Sequence, residues 1–132
     1  MSKKTFEKEN IIRICRNHIS GILGEALLKL FLKEELIKRI NDEYIITERG
    51  WDELELIGVD VNNLRLIKGK IVTVCIESDH GVLLEHIGSH LGKMIFDRMY
   101  EMGWLYLKDE KRYIITEKGE NGLESLHVNL KN

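Results

Sequence analysis

Residues 44–50 read YIITERG and residues 113–119 read YIITEKG. A string that returns with a single arginine-to-lysine change marks an internal duplication, and a duplication governs the fold because each small unit must hide its apolar face against the other. Working back from the string, Gly24 matches Gly92, Leu23 matches Leu91, Ile19 matches Ile87 and His18 matches His86, at an offset of 68 instead of 69. One residue has been gained in the hairpin between. Further back, Ile11-Ile12-Arg13-Ile14-Cys15 aligns with Ile71-Val72-Thr73-Val74-Cys75, after which the second copy carries eight extra residues before its histidine. The expected organisation is a single domain over 1–132, with repeats at 11–58 and 71–126 and a linker over 59–70.

Local physics assigns the parts of the unit. The β-branched run Ile71 to Ile76, bounded by Gly69 and by Ser78-Asp79-His80-Gly81, reads as a strand, and Ile11 to Cys15 should match it. Ile19, Ile22, Leu23, Ala26, Leu27, Leu30 and Phe31 recur at three- and four-residue steps, as do Ile87, Leu91, Met94, Ile95, Met99 and Met102. That spacing predicts one buried helix face in each copy. Hairpins are expected at Leu36–Thr47, turning at Asn41-Asp42-Glu43, and at Trp104–Thr116, turning near Asp109-Glu110. Thr47 and Thr116 are placed to cap the helices that follow, and Asp60 to cap a short helical turn in the linker. The expected fold class is α+β, a tandem repeat of two winged-helix-like units (strand, helix, β-hairpin wing, helix) packed about a pseudo-two-fold axis.

Composition bounds the function. With 43% hydrophobic and 32% charged residues and a mean hydropathy of -0.22, the chain reads as a soluble globular protein. No stretch approaches the roughly 18 apolar residues of a membrane span. The start of the chain also lacks the apolar run of a signal peptide, so a cytoplasmic location without a membrane partner is expected. Two cysteines are too few for a disulfide framework. Twenty basic residues against 22 acidic ones make the sequence-independent attraction to phosphate weak overall.

The ordered pattern Cys15, His18, Ile19, Gly21, Leu23, Gly24, then Tyr44, Thr47, Gly50 and Ile57–Asp60 resembles the C-terminal half of arsenic-repressor-type (ArsR-like) bacterial transcription regulators. The second copy is similar to it through Cys75, His86-Ile87, Leu91-Gly92, Gly103-Trp104-Leu105, Thr116 and Gly119. The resemblance runs from about Ile11 to Leu126. In those regulators the DNA-reading winged helix lies ahead of this region, whereas here only about ten residues precede Ile11. The resemblance therefore implies a companion domain that senses a ligand or metal, or binds a partner protein or a second copy of itself, in transcription control.

Cys15 and His18, with Cys75 and His86 in equivalent places, are the candidate ligand-binding set. A pseudo-two-fold would bring two thiolates and two imidazoles together, a donor set that suits zinc or another soft metal. The competing reading makes the cysteines small buried hydrophobes and the histidines packing residues at helix starts. Trp51 and Trp104 are candidate walls of a ligand pocket. Asp79, His80, His86 and His90 form a second group, with His86 and His90 read as one helical turn apart. No nucleophile with a recognisable base is present, so an enzyme is not expected. A direct DNA-binding alternative places two helices over Val82–Gly103 with Gly88 at the turn, and Lys93, Arg98, Lys108, Lys111 and Arg112 against phosphates. A structural adaptor or dimerisation protein is the third class.

Overall fold

The computed structural model describes residues 11–79, 81–109 and 112–125. The first copy runs β1 (Ile11–Cys15), β2 (His18–Ser20), α1 (Gly21–Lys33), β3 (Ile37–Ile40), β4 (Glu43–Ile46) and α2 (Glu48–Leu56). After α3 (Val61–Leu66), the second runs β5 (Thr73–Asp79), β6 (Val82–Gly88), α4 (Ser89–Glu101), β7 (Leu105–Asp109), β8 (Arg112–Ile115) and α5 (Glu117–Ser125). The class is α+β, with five helices and three small antiparallel sheets among the described residues.

Each copy opens with a hairpin where a lone strand is expected. The histidines stand on return strands, not at helix starts. Cys15 faces His18 across the first hairpin, and Cys75 faces His86 across the second. The eight extra residues of the second copy are four further cross-strand pairs, Ile76↔Glu85 through Asp79↔Val82, which lengthen the hairpin beyond that shared pair. The unit is thus hairpin, helix, hairpin, helix, and the strand–helix–wing–helix order of the winged-helix expectation is not what the chain adopts. Val82–Gly88 is strand throughout, so the helix-turn-helix of the DNA-binding alternative is not formed there.

The hairpins and caps read from the sequence are present. Asn41 and Asp42 turn the first hairpin with φ of 50° and 66°, in the left-handed region that their short polar side chains tolerate. The residue gained in the second hairpin is a bulge between Leu107 and Asp109. Thr47 Oγ1 accepts from the Gly50 N–H and Thr116 Oγ1 from the Gly119 N–H, both at 2.9 Å. Asp60 Oδ1 accepts from the Asn63 N–H at 3.1 Å and starts α3.

Packing is reciprocal between the copies. Helix α1 lies on β6, and α4 lies on β2. Close approach requires glycine at matched positions: a Cβ on Gly24 would stand 2.9 Å from His86 Cβ, and one on Gly92 would stand 3.1 Å from His18 Cδ2. Ile19 with Ile87, Gly24 with Gly92 and Leu27 with Ile95 surround one small void, marking where the two copies meet. Leu23, Leu27, Leu28 and Phe31 of α1 share a continuous core with Leu91, Ile95, Phe96 and Met99 of α4. Burying a side chain such as Leu91 or Leu64, each at 0% exposure, stabilises by about 1.5–3 kcal/mol. Ile22 departs from the expected face and is exposed.

Pairing also crosses between copies. β1 joins β8 through Ile11↔Ile114 and Ile12↔Tyr113, giving a four-stranded sheet in the order β2-β1-β8-β7. The pairs β3–β4 and β5–β6 remain two-stranded sheets. Among the described residues, no helix is long and apolar enough to cross a membrane.

Candidate metal centre

Cross-strand neighbours in an antiparallel hairpin project from the same face. Each hairpin therefore offers a cysteine and a histidine side by side, and reciprocal packing turns the two offers toward each other. One ligand atom from each of Cys15, His18, Cys75 and His86 lies within 4.8 Å of all the others. A tetrahedral zinc site with Zn–S of about 2.3 Å and Zn–N of about 2.0–2.1 Å spaces its ligand atoms roughly 3.3–3.8 Å apart, so the cluster fits after a modest contraction. The His18 and His86 ring centroids are 6.0 Å apart, with planes inclined at 51°.

Three of the four ring nitrogens in this cluster are buried without a hydrogen-bond partner. His86 is fully buried, and neither of its ring nitrogens has a hydrogen bond; His18 Nδ1 is likewise buried and unpaired. Leaving a buried donor or acceptor unsatisfied costs about 1–3 kcal/mol. Coordination would relieve that cost at one nitrogen of each ring.

Burial also sets the protonation states. It lowers the His18 pKa, helped by the neighbouring His86 and by Arg16. Burial lowers the His86 pKa against an opposing pull from Glu77. Both rings are thus biased toward the neutral form that ligates metal. The Cys75 thiol is raised by burial and by its Cys15 neighbour, while Arg16 acts in the opposite sense. A cation at the centre would reverse this and favour both thiolates.

A cleft of about 420 Å³ opens onto the cluster, lined by Arg16, His18, Cys75, Ser89, His90 and Lys93. The cluster is reachable from outside. Two residues of this neighbourhood escaped the sequence reading. Arg16 sits in the β1–β2 turn at φ 60°. Glu77 accepts from the Gly21 N–H through Oε2 at 3.2 Å and acts on His86. The available signal was strand alternation, which puts Cys75 and Glu77 on one face of β5.

The other candidates disperse. Trp51, on α2, lines a separate cleft with the Arg65 guanidinium over its ring at 4.1 Å. The Trp104 indole fills the space a Cβ on Gly122 of α5 would need. Neither tryptophan lines the cleft that opens onto the Cys/His cluster. His86 and His90 do not share a helix face, because His86 is buried on β6 while His90 is exposed on α4. His80 lies outside the described residues, and so does the Asp79 side chain.

Of the proposed phosphate-contacting cations, Lys93 pairs with Asp97 at 2.6 Å and Arg98 with Glu101 at 3.4 Å. The Arg98 Nε also donates to the Ile57 carbonyl. Arg112 Nε donates to Asp109 at 3.0 Å, and Lys108 is exposed on β7. Lys111 lies outside the described residues. No family model, curated protein or solved structure matches the chain.

Proposed function

We propose that the chain is a metal-responsive protein in which Cys15, His18, Cys75 and His86 hold one zinc or similarly soft divalent ion between the two copies. The carrying observation is the meeting of two cysteines and two histidines from four different strands, three of whose ring nitrogens are buried with no hydrogen-bond partner. Two thiolates and two neutral imidazoles form the donor set that structural zinc sites use. Because each copy supplies one cysteine and one histidine, occupancy is felt by both copies at once. The resemblance of the ordered motifs to arsenic-repressor-type regulators is the ground for placing this response in transcription control, with a partner protein reading the occupied state.

Metal analysis of the purified full chain tests the reading. One zinc per chain is expected, with stoichiometric metal lost in His86→Ala and in Cys75→Ser. At free zinc a thousandfold above Kd, bound metal should add about 4 kcal/mol of stability, read as a fall in Tm on chelation. Full-length chain that stays folded and takes up no zinc or cobalt at neutral pH would overturn the proposal.

A further inference from the structure

Cys15 and Cys75 are the chain's two cysteines, both free thiols and both half-buried. They stand at matching points of the repeat but in different sheets, Cys15 on β1 of the four-stranded sheet and Cys75 on β5 of the β5–β6 pair. Far apart in sequence, they are brought together by the packing of one copy on the other. Their sulfurs belong to the cluster whose ligand atoms all lie within 4.8 Å of one another. A disulfide needs an S–S distance of about 2.0 Å, so the sulfurs must close by less than roughly 3 Å, a movement within reach of χ1 rotation. Gly88 of the facing strand keeps room for this, because a Cβ there would stand 2.6 Å from Cys75 Sγ. The two thiols differ in access. Cys75 lines the cleft of about 420 Å³ that opens onto the cluster, and Cys15 is not part of its described lining. Asn17, Thr73 and Ser89 make the cleft wall polar, so a small hydrophilic molecule can enter it.

We propose that Cys15 and Cys75 are a thiol pair oxidised by peroxide, in which Cys75 takes the oxidant and Cys15 closes on it to give a disulfide between the two copies. The Cys75 thiolate attacks one peroxide oxygen; an S–O bond forms as the O–O bond breaks, and the departing hydroxide takes up a proton and leaves as water. The Cys15 thiolate then attacks the Cys75 sulfur. The S–S bond forms, the S–O bond breaks, and the second oxygen leaves as water with a second proton. Two thiols and one peroxide become one disulfide and two waters, and the protons used are those the thiols gave up. Disulfide and metal exclude each other, because the bond consumes both thiolates and leaves the ion two imidazoles, short of the four ligands zinc takes in structural sites. That exclusion rests on the zinc reading above, whereas the disulfide does not. With zinc bound, oxidation expels the ion, so occupancy answers to oxidant as well as to metal supply.

The test treats the full chain with hydrogen peroxide near neutral pH, once as purified and once after chelation. Both thiols should be lost together and the mass should fall by about 2 Da, with a protease digest joining the Cys15 and Cys75 peptides of a single chain; dithiothreitol should reverse the change. In zinc-loaded chain an indicator dye should report one ion released per disulfide formed. Cys15→Ser should leave Cys75 as a sulfenic acid that dimedone traps, and Cys75→Ser should slow oxidation of the remaining thiol about tenfold or more. Wild-type chain decides the pairing even where a serine variant fails to fold. Folded chain that keeps both thiols, oxidises each cysteine separately to sulfinic acid, or cross-links only between chains overturns the pair. A disulfide in chain that never takes up zinc supports the pair and removes the metal reading, and zinc retained after the disulfide has closed overturns the exclusion.

Discussion

Strands β4 and β8 share a sequence, a hairpin and a following threonine cap, yet β8 lies inside a four-stranded sheet and β4 stands at an edge. The difference comes from what is packed alongside. β1 reaches β8 from the start of the chain, whereas the matching segment before β5 is tied by its carbonyls to the start of α4. Identical local sequence therefore secures the hairpin and leaves the long-range pairing to neighbours. The two opening hairpins teach the same lesson. They agree at the cysteine–histidine pair and diverge beyond it, where the second is four pairs longer.

If the copies share one interior, matched core truncations must act alike. Leu23→Ala and Leu91→Ala should each cost about 2–5 kcal/mol, and denaturant unfolding should remain a single transition in both. A variant that melts in two steps, with one copy surviving the other, would break the comparison.

Protonation sharpens it next. His18 and His86 have folded-state pKa values below the ordinary 6.5, so the folded chain binds fewer protons at these rings than the unfolded chain does. Their contribution is present above that ordinary value and fades as pH falls through the folded-state range. Cys75 is raised above its ordinary 9.0, so its contribution is present below that value and fades as pH rises through the folded-state range. Metal-free chain should be most stable between the two ranges, as Tm against pH would show; a Tm that climbs on acidification from neutrality would contradict this.

The smallest effect concerns the caps. Thr47→Ala and Thr116→Ala should each cost about 1 kcal/mol, because the two hydroxyls make the same pair of bonds in each copy. Unequal losses measured by chemical denaturation would mean that α2 and α5 are not equivalent supports.

Much of this was legible in the sequence. The repeat, the β3–β4 and β7–β8 hairpins, the caps at Thr47, Thr116 and Asp60, and the apolar faces of α1 and α4 follow from local spacing and turn chemistry. The candidate site was legible as four residues in equivalent places. Its geometry was not, because apolar spacing alone carries Ile19 and Ile87 into the helical faces and so sets His18 and His86 at helix starts. In fact the helices begin after Ser20 and Gly88, without a side-chain cap. β6 is hidden for a related reason: His86 and His90, four apart, imitate a helix step across a strand–helix junction. Pairing of β1 with β8 and the cleft beside Trp51 depend on contacts between distant segments, on which local periodicity is silent.

The joint between β1 and β8 links residues as far apart as Ile11 and Ile114. During synthesis, which proceeds at about 5–20 residues per second, β1 is made well before β8, with most of both copies made in between. Closure of the four-stranded sheet therefore waits until most of both copies has been made. Until then, the nascent chain presents the isoleucine-rich edge of β1 to whatever chaperone or neighbouring polypeptide meets it.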